Sequence, residues 1–143
     1  MDVNTKRAKK GRAFSRTKRS LAIVERAYRA PIEEQYGHIL WLSRVLRKMK
    51  GEHDILLKGQ AVLYARQEQI NIELEIGGVH LNNLSNYKSA IESFLKEGGN
   101  VFVFQNDLIR YGIQEAPMID GICAADEADL VTFFEEYECV WYW

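Results

Sequence analysis

Residues 98–113 read GGNVFVFQNDLIRYGI, and the four positions Val101–Phe104 are apolar without a break. A strand with one wet face alternates apolar and polar side chains, whereas a strand that is apolar at every position is covered on both faces. That requirement restricts the fold more than any other feature of the chain. The run also stops abruptly at Gln105-Asn106-Asp107, where a helix-like stretch begins. In open α/β sheets this strand-to-helix corner is where ligands and reactive groups sit.

Similar short apolar runs occur in SLAIVERAY (20–28) and HDILLKG (53–59), and both read as buried strands. Between them, Ile32, Tyr36, Ile39, Leu40, Leu42, Val45, Leu46 and Met49 recur at helical spacing. Pro31 suits the first turn of that helix, and Glu33 and Glu34 suit its positive end. Arg44, Arg47, Lys48 and Lys50 crowd the other end, and Gly51 is a plausible stop. QAVLYARQEQ (60–69) reads as a short helix. INIELEIGG (70–78) alternates with a period of two, as a strand with one wet face, or else an edge strand or an extended insertion. NLSNYKSAIESFLKEGG (83–99) is helical, with Ser85 or Asn86 to cap it and Gly98-Gly99 to end it. A last helix begins near Ala125 or Asp126, and the apolar CVWYW (139–143) ends the chain as a strand.

Strand and helix therefore alternate. The expectation is one α/β domain over residues 20–143, a three-layer α/β/α sandwich around a mostly parallel sheet of about five strands. Its length suffices for a core without disulfides or metal. No apolar run approaches the roughly 18 to 20 residues of a membrane span, and the N-terminus lacks the apolar stretch of a secretory signal. Cys123 and Cys139 stand far apart in no CxxC spacing, which points to free thiols and a reducing, cytoplasmic setting. His38, His53 and His80 show no ligand spacing. GGVH (77–80) is too short for a phosphate loop, so neither metal nor cofactor is expected.

The net charge of −1 hides an asymmetry. Residues 1–19 carry Lys6, Arg7, Lys9, Lys10, Arg12, Arg16, Lys18 and Arg19 against Asp2 alone, a net of +7, so the remainder carries −8. Self-repulsion and poor burial favour a flexible arm. Such an arm is either a solubilising leader or a phosphate-contacting segment that binds RNA or DNA without reading sequence. An acidic partner protein, or the acidic face of a neighbouring copy, would serve it equally well. A nucleic-acid or ribonucleoprotein-associated binding module is thus one reading of the chain.

At the corner, Gln105, Asn106 and Asp107 could orient a polar ligand, although a cap on the following helix is the simpler reading of Asn106 or Asp107. Arg26, Arg29, Glu33, Gln35 and His38 follow the first strand and abut the same edge. His38 reads more simply as a helix-flank residue than as a general base. Cys123 is the weak candidate for a nucleophile. A nearby helix N-terminus would favour its thiolate, but Asp126, Glu127 and Asp129 would oppose it.

The run VFVFQNDLIRYGI, preceded by FLKEGGN and followed by MIDGICAADEADLVTFFEEYECVWYW, resembles the C-terminal half of DsrE/DsrF-like proteins, also called YchN-like or TusD-like. SLAIVERAYRAPIEEQYGHILWLSRVLRKM and HDILLKGQAVLYA are similar to their first strand and long helix, and to their second strand and short helix. The resemblance spans about residues 20–143. It implies a compact domain that assembles into homo- or hetero-oligomers, many of whose members relay sulfur as a persulfide. The family's cysteine ends the third strand, often in a V-C-Q-N-like pattern, and the matching residue here is Phe104 in VFQN. Phenylalanine forms neither thiolate nor persulfide. The resemblance therefore implies a sulfur-relay-related protein without the nucleophile, a binder more than an enzyme. The terminal VWYW would supply a subunit contact if exposed, or a packed last strand if buried.

Overall fold

The computed structural model describes residues 18–27, 37–69, 74–81 and 87–143. In chain order its elements are β1 (Arg19–Val24), α1 (Gly37–Lys48), β2 (Glu52–Leu57), a 3₁₀ helix (Gly59–Ala65), β3 (Leu74–Ile76) and β4 (Val79–Leu81). They continue with α2 (Tyr87–Lys96), β5 (Val101–Phe104), α3 (Gln105–Arg110), β6 (Cys123–Ala125), α4 (Glu127–Glu136) and β7 (Cys139–Tyr142). Five strands form one sheet in the order β6-β5-β2-β1-β7. Every neighbouring pair in it is parallel.

Consecutive strand residues face opposite sides, and each side has its own core. Val24, Ile55, Leu57, Val101 and Val103 pack with Ile39, Leu40, Val62, Ile91, Phe94 and Leu108 from α1, the 3₁₀ helix, α2 and α3. Leu21, Ile23, Leu56, Phe104 and Ala125 face the other way, where Tyr137 joins them and Phe102, Leu130, Phe133 and Val140 border them. The result is an α/β/α sandwich around a parallel sheet, as the unbroken apolar runs require.

Three local readings change. The described part of the alternating segment, residues 74–78, supplies no strand to the sheet. Leu74–Ile76 pairs antiparallel with Val79–Leu81 as a separate hairpin turned at Gly77-Gly78. Its alternate carboxylates could not be buried between two helical layers. The fifth sheet strand is instead Cys123–Ala125, a three-residue edge strand too short to show a period. The short helix read over 60–69 spans only Gly59–Ala65 and is a tight 3₁₀ helix. Its end is strapped by the Arg66–Met118 bridge and by the Ile119 N–H donating to the Ala65 carbonyl at 2.8 Å. Helix α1 stops one residue early, because Lys50 and not Gly51 takes the left-handed turn (φ 64°). Pro31, Glu33, Glu34, Ser85 and Asn86 lie outside the described residues.

The amino end of the sheet holds a buried polar cluster. Asp54, 3% exposed, accepts hydrogen bonds from the Asn100 N–H at 2.9 Å and the Tyr137 hydroxyl at 2.6 Å. Arg47 lies 3.6 Å from the Oδ1 that Asn100 also binds, and donates to the His53 and Gly98 carbonyls. Arg19 approaches within 4.0 Å, its guanidinium stacked 4.7 Å from the Tyr137 ring centre. Burial and the neighbouring Asp54 carboxylate push the Tyr137 hydroxyl well above its ordinary range. His53 is clamped between the hydroxyls of Ser20 (2.7 Å from Nδ1) and Ser43 (2.9 Å from Nε2). Burial holds its imidazole below the usual histidine range, so it folds neutral.

Two outcomes are expected. Asp54→Ala leaves the buried Tyr137 hydroxyl, the Asn100 N–H and the half-buried Arg47 guanidinium without their acceptor, and should cost about 3 kcal/mol in urea unfolding. For His53 the unfolded chain takes up its proton first, at about pH 6.5. Its contribution is therefore complete above that pH and declines as the pH falls below it. The stability gap between wild type and His53→Gln should narrow between pH 7.5 and pH 5; a gap constant with pH would show that the imidazole folds without a shift.

Candidate functional site

The opposite, carboxyl end of the sheet is where the corners after β1, β2 and β5 converge. Val24 ends β1, and its carbonyl accepts from the Lys58 N–H at 2.9 Å, just past the end of β2. The next residue, Gly59, takes φ 54°, and a Cβ there would stand 2.9 Å from the Glu25 carbonyl oxygen. Glycine is needed for both reasons. The third corner has no loop: Phe104 ends β5 and Gln105 begins α3.

Asp107 joins two of these corners. Its Oδ2 accepts the Gly59 N–H at 2.6 Å, and the residue is 9% exposed. The expected cap is therefore absent: Phe104 occupies the N-cap position of α3, and no side chain caps it. The strand enters the helix directly, which leaves no cap position for Asn106 or Asp107.

These corners surround an open cleft of about 520 Å³. Its rim carries Arg26, Lys58 and Arg110, with Gln60 and Tyr111 beside them and Phe104 and Asp107 toward its floor. Lys58 Nζ lies 3.5 Å from Glu25 Oε1 and 5.8 Å from the centre of the Phe104 ring. Arg26 and Arg110 are exposed and make no ion pair with a described residue. The cleft thus offers guanidinium donors for an anionic group and a phenol for a flat one. Among the described residues no cysteine, serine or threonine lines it; Phe104 is 8% exposed and packs its ring into the second core.

The residues singled out from sequence distribute unevenly. Arg26 is on the rim. Gln105 and Asn106 are exposed at the start of α3 but do not line this cleft. The Asn106 amide instead donates to Glu127 Oε1 at 3.0 Å. The side chain of His38 and all of Arg29, Glu33 and Gln35 lie outside the described residues, as do Lys6, Arg7, Lys9, Lys10, Arg12 and Arg16. Lys18 is exposed, whereas Arg19 is not an arm residue but the first of β1.

Cys123 pairs in register with Phe102, while Ala125 is the residue beside Phe104. The Cys123 thiol is exposed on the edge strand, two positions back from the corner. Cys139 is half-buried, with the Trp141 indole N–H pointing at its sulfur.

Sequence reasoning missed Lys58, Gln60, Arg110 and Tyr111. One signal was available for the last two: Asp107, Arg110 and Tyr111 fall at i, i+3 and i+4, on one face of a helix. Among the described residues no cluster of three or more His, Cys, Asp or Glu side chains is placed to hold a metal ion, and no helix is long and apolar enough to cross a membrane.

The fold is shared with the YchN protein of E. coli, with a TM-score of 0.71 at 17% identity, over 88% of this chain and 99% of that one. It is also similar to a conserved protein of unknown function from Bacteroides thetaiotaomicron, with a TM-score of 0.55 at 15% identity, over 87% of this chain and 94% of that one. At these identities the likeness is one of fold. No family model and no curated protein sequence matches the chain.

Removing the carboxylate that joins the corners should loosen the cleft. Asp107→Ala leaves the Gly59 N–H unpaired and is expected to cost about 2 kcal/mol. Faster amide exchange at residues 58–61 should accompany the loss; unchanged exchange there would mean that Asp107 does not hold the corner.

Proposed function

We propose that the chain is a diverged DsrE-like protein, related to sulfur relay, that has lost the sulfur-carrying cysteine and acts as an oligomeric binding or assembly partner. The observation that carries this reading is Phe104: a buried phenyl ring ends the strand whose matching position carries the family's cysteine. The fold-level likeness to YchN supports the family. Arg26 and Arg110 on the rim, unpaired with described acids, suit a site that binds an anionic group. The outer strand β7, with Tyr142 and Trp143 exposed, supports association through that edge. A nucleic-acid-binding role is the second reading, favoured by the net +7 of residues 1–19. It requires that charge to be free of the chain's own acidic surface.

Sulfur transfer would proceed by attack of a thiolate on the outer sulfur of a donor persulfide, giving a protein persulfide and releasing the donor thiolate. Incubation of the pure protein with a small-molecule persulfide should leave its intact mass unchanged, without a gain of about 32 Da per added sulfur. Phe104→Cys should gain that mass at position 104. A stable adduct on Cys123 of the wild type would overturn the loss of the carrier role. Sedimentation at micromolar concentration should give a multiple of 16.6 kDa, and a monomer would remove the assembly role.

A further inference from the structure

Residues 126–138 contain Asp126, Glu127, Asp129, Glu135, Glu136 and Glu138 and no basic residue, and all six carboxylates are exposed. Asp126 and Asp129 are engaged in the capping box of α4, and Glu136 lies 3.6 Å from Arg19. Glu135 and Glu138 make no ion pair with a described residue. Helical spacing places Glu127, Val131, Phe134 and Glu135 on one face. Val131 is 60% exposed and Phe134 52%. This outer face therefore combines two uncovered apolar side chains with a surplus of negative charge. Such a strip fits a segment that is basic and apolar together.

The chain contains such a segment, and its point of departure is fixed. Arg19 pairs with Glu136, and its carbonyl accepts from the Glu138 N–H at 3.0 Å. Residues 1–17, outside the described structure, are thus tethered beside the C-terminal end of α4. The helix is about 15 Å long, a distance that about five extended residues span. In an extended chain Arg12, Phe14 and Arg16 point to one side, cation, ring and cation in turn. That order matches carboxylate, apolar pair and carboxylate along the helix face.

We propose that residues 12–16 of the same chain lie along the outer face of α4, with Phe14 on Val131 and Phe134 and with Arg12 and Arg16 against its carboxylates. The tether sets an effective concentration on the order of millimolar, which favours the chain's own arm over that of a second copy. The contact neutralises part of the acidic strip and withdraws those cations from any external polyanion. It does not depend on the sulfur-relay reading.

The test uses the full-length chain with the photoreactive p-benzoylphenylalanine in place of Phe14, irradiated dilute and at low salt. Cross-links should map to residues 126–138 within a monomer. They should be lost with Arg12→Glu/Arg16→Glu and restored when Glu135→Lys/Glu138→Lys is added. They should also weaken at about 0.5 M salt, where the Debye length is only about 4 Å. Cross-links to another element, to a second copy or to co-purifying nucleic acid would overturn the proposal. So would an α4 cross-link that charge reversal leaves unchanged, or one that the compensating lysines fail to restore.

Discussion

Because every ladder of the central sheet is parallel, no strand of it can be joined to a sheet neighbour by a tight turn. Each connection must cross a face of the sheet, and each crossing segment brings an apolar side that covers the strands beneath it. The two cores on opposite faces follow from this constraint, and so does the unbroken apolar character of Val101–Phe104. The corners follow as well: all the strands end on the same side, so the turns after β1, β2 and β5 meet there.

The two ends of the sheet consequently do different work. At the amino end Asp54, Tyr137 and His53 are buried, the half-buried Arg47 reaches Asp54 and the His53 carbonyl, and little of the cluster is open to a ligand. At the carboxyl end the backbone is pinned by the bond from Gly59 to Asp107, while Arg26 and Arg110 remain exposed and unpaired with described acids. A site that binds needs rigid walls and free donors, and this end supplies both. At the end of β5 itself stands no thiol: the ring of Phe104 packs into the second core.

Much of the fold was legible in the sequence because its signals are local. The period of α1 and α2, the apolar runs of β1, β2 and β5 and the start of α4 near Asp126 can all be read within a few residues. The misplaced elements show the limit of that reading. Residues 70–78 carry a clean strand period, yet Leu74–Ile76 pairs only with its own hairpin partner. Cys123–Ala125 carries none yet completes the sheet, because an edge strand needs a ladder on one side only. The site was legible at its corner, through the abrupt VFVFQND junction and Arg26, and not in Lys58, Gln60, Arg110 and Tyr111.

The sequence by itself determined the class of the fold, the asymmetry of charge between the arm and the body, and the absence of sulfur at position 104. These depend on what each residue is and on neighbours a few positions away. The tertiary structure alone decided that Asp107 holds Gly59, 48 residues distant, and that Tyr137 reaches Asp54 across 83. A carboxylate has the same hydrogen-bonding capacity wherever it stands. Which donor it meets is settled when the strands take their order in the sheet, a long-range outcome that no local pattern encodes.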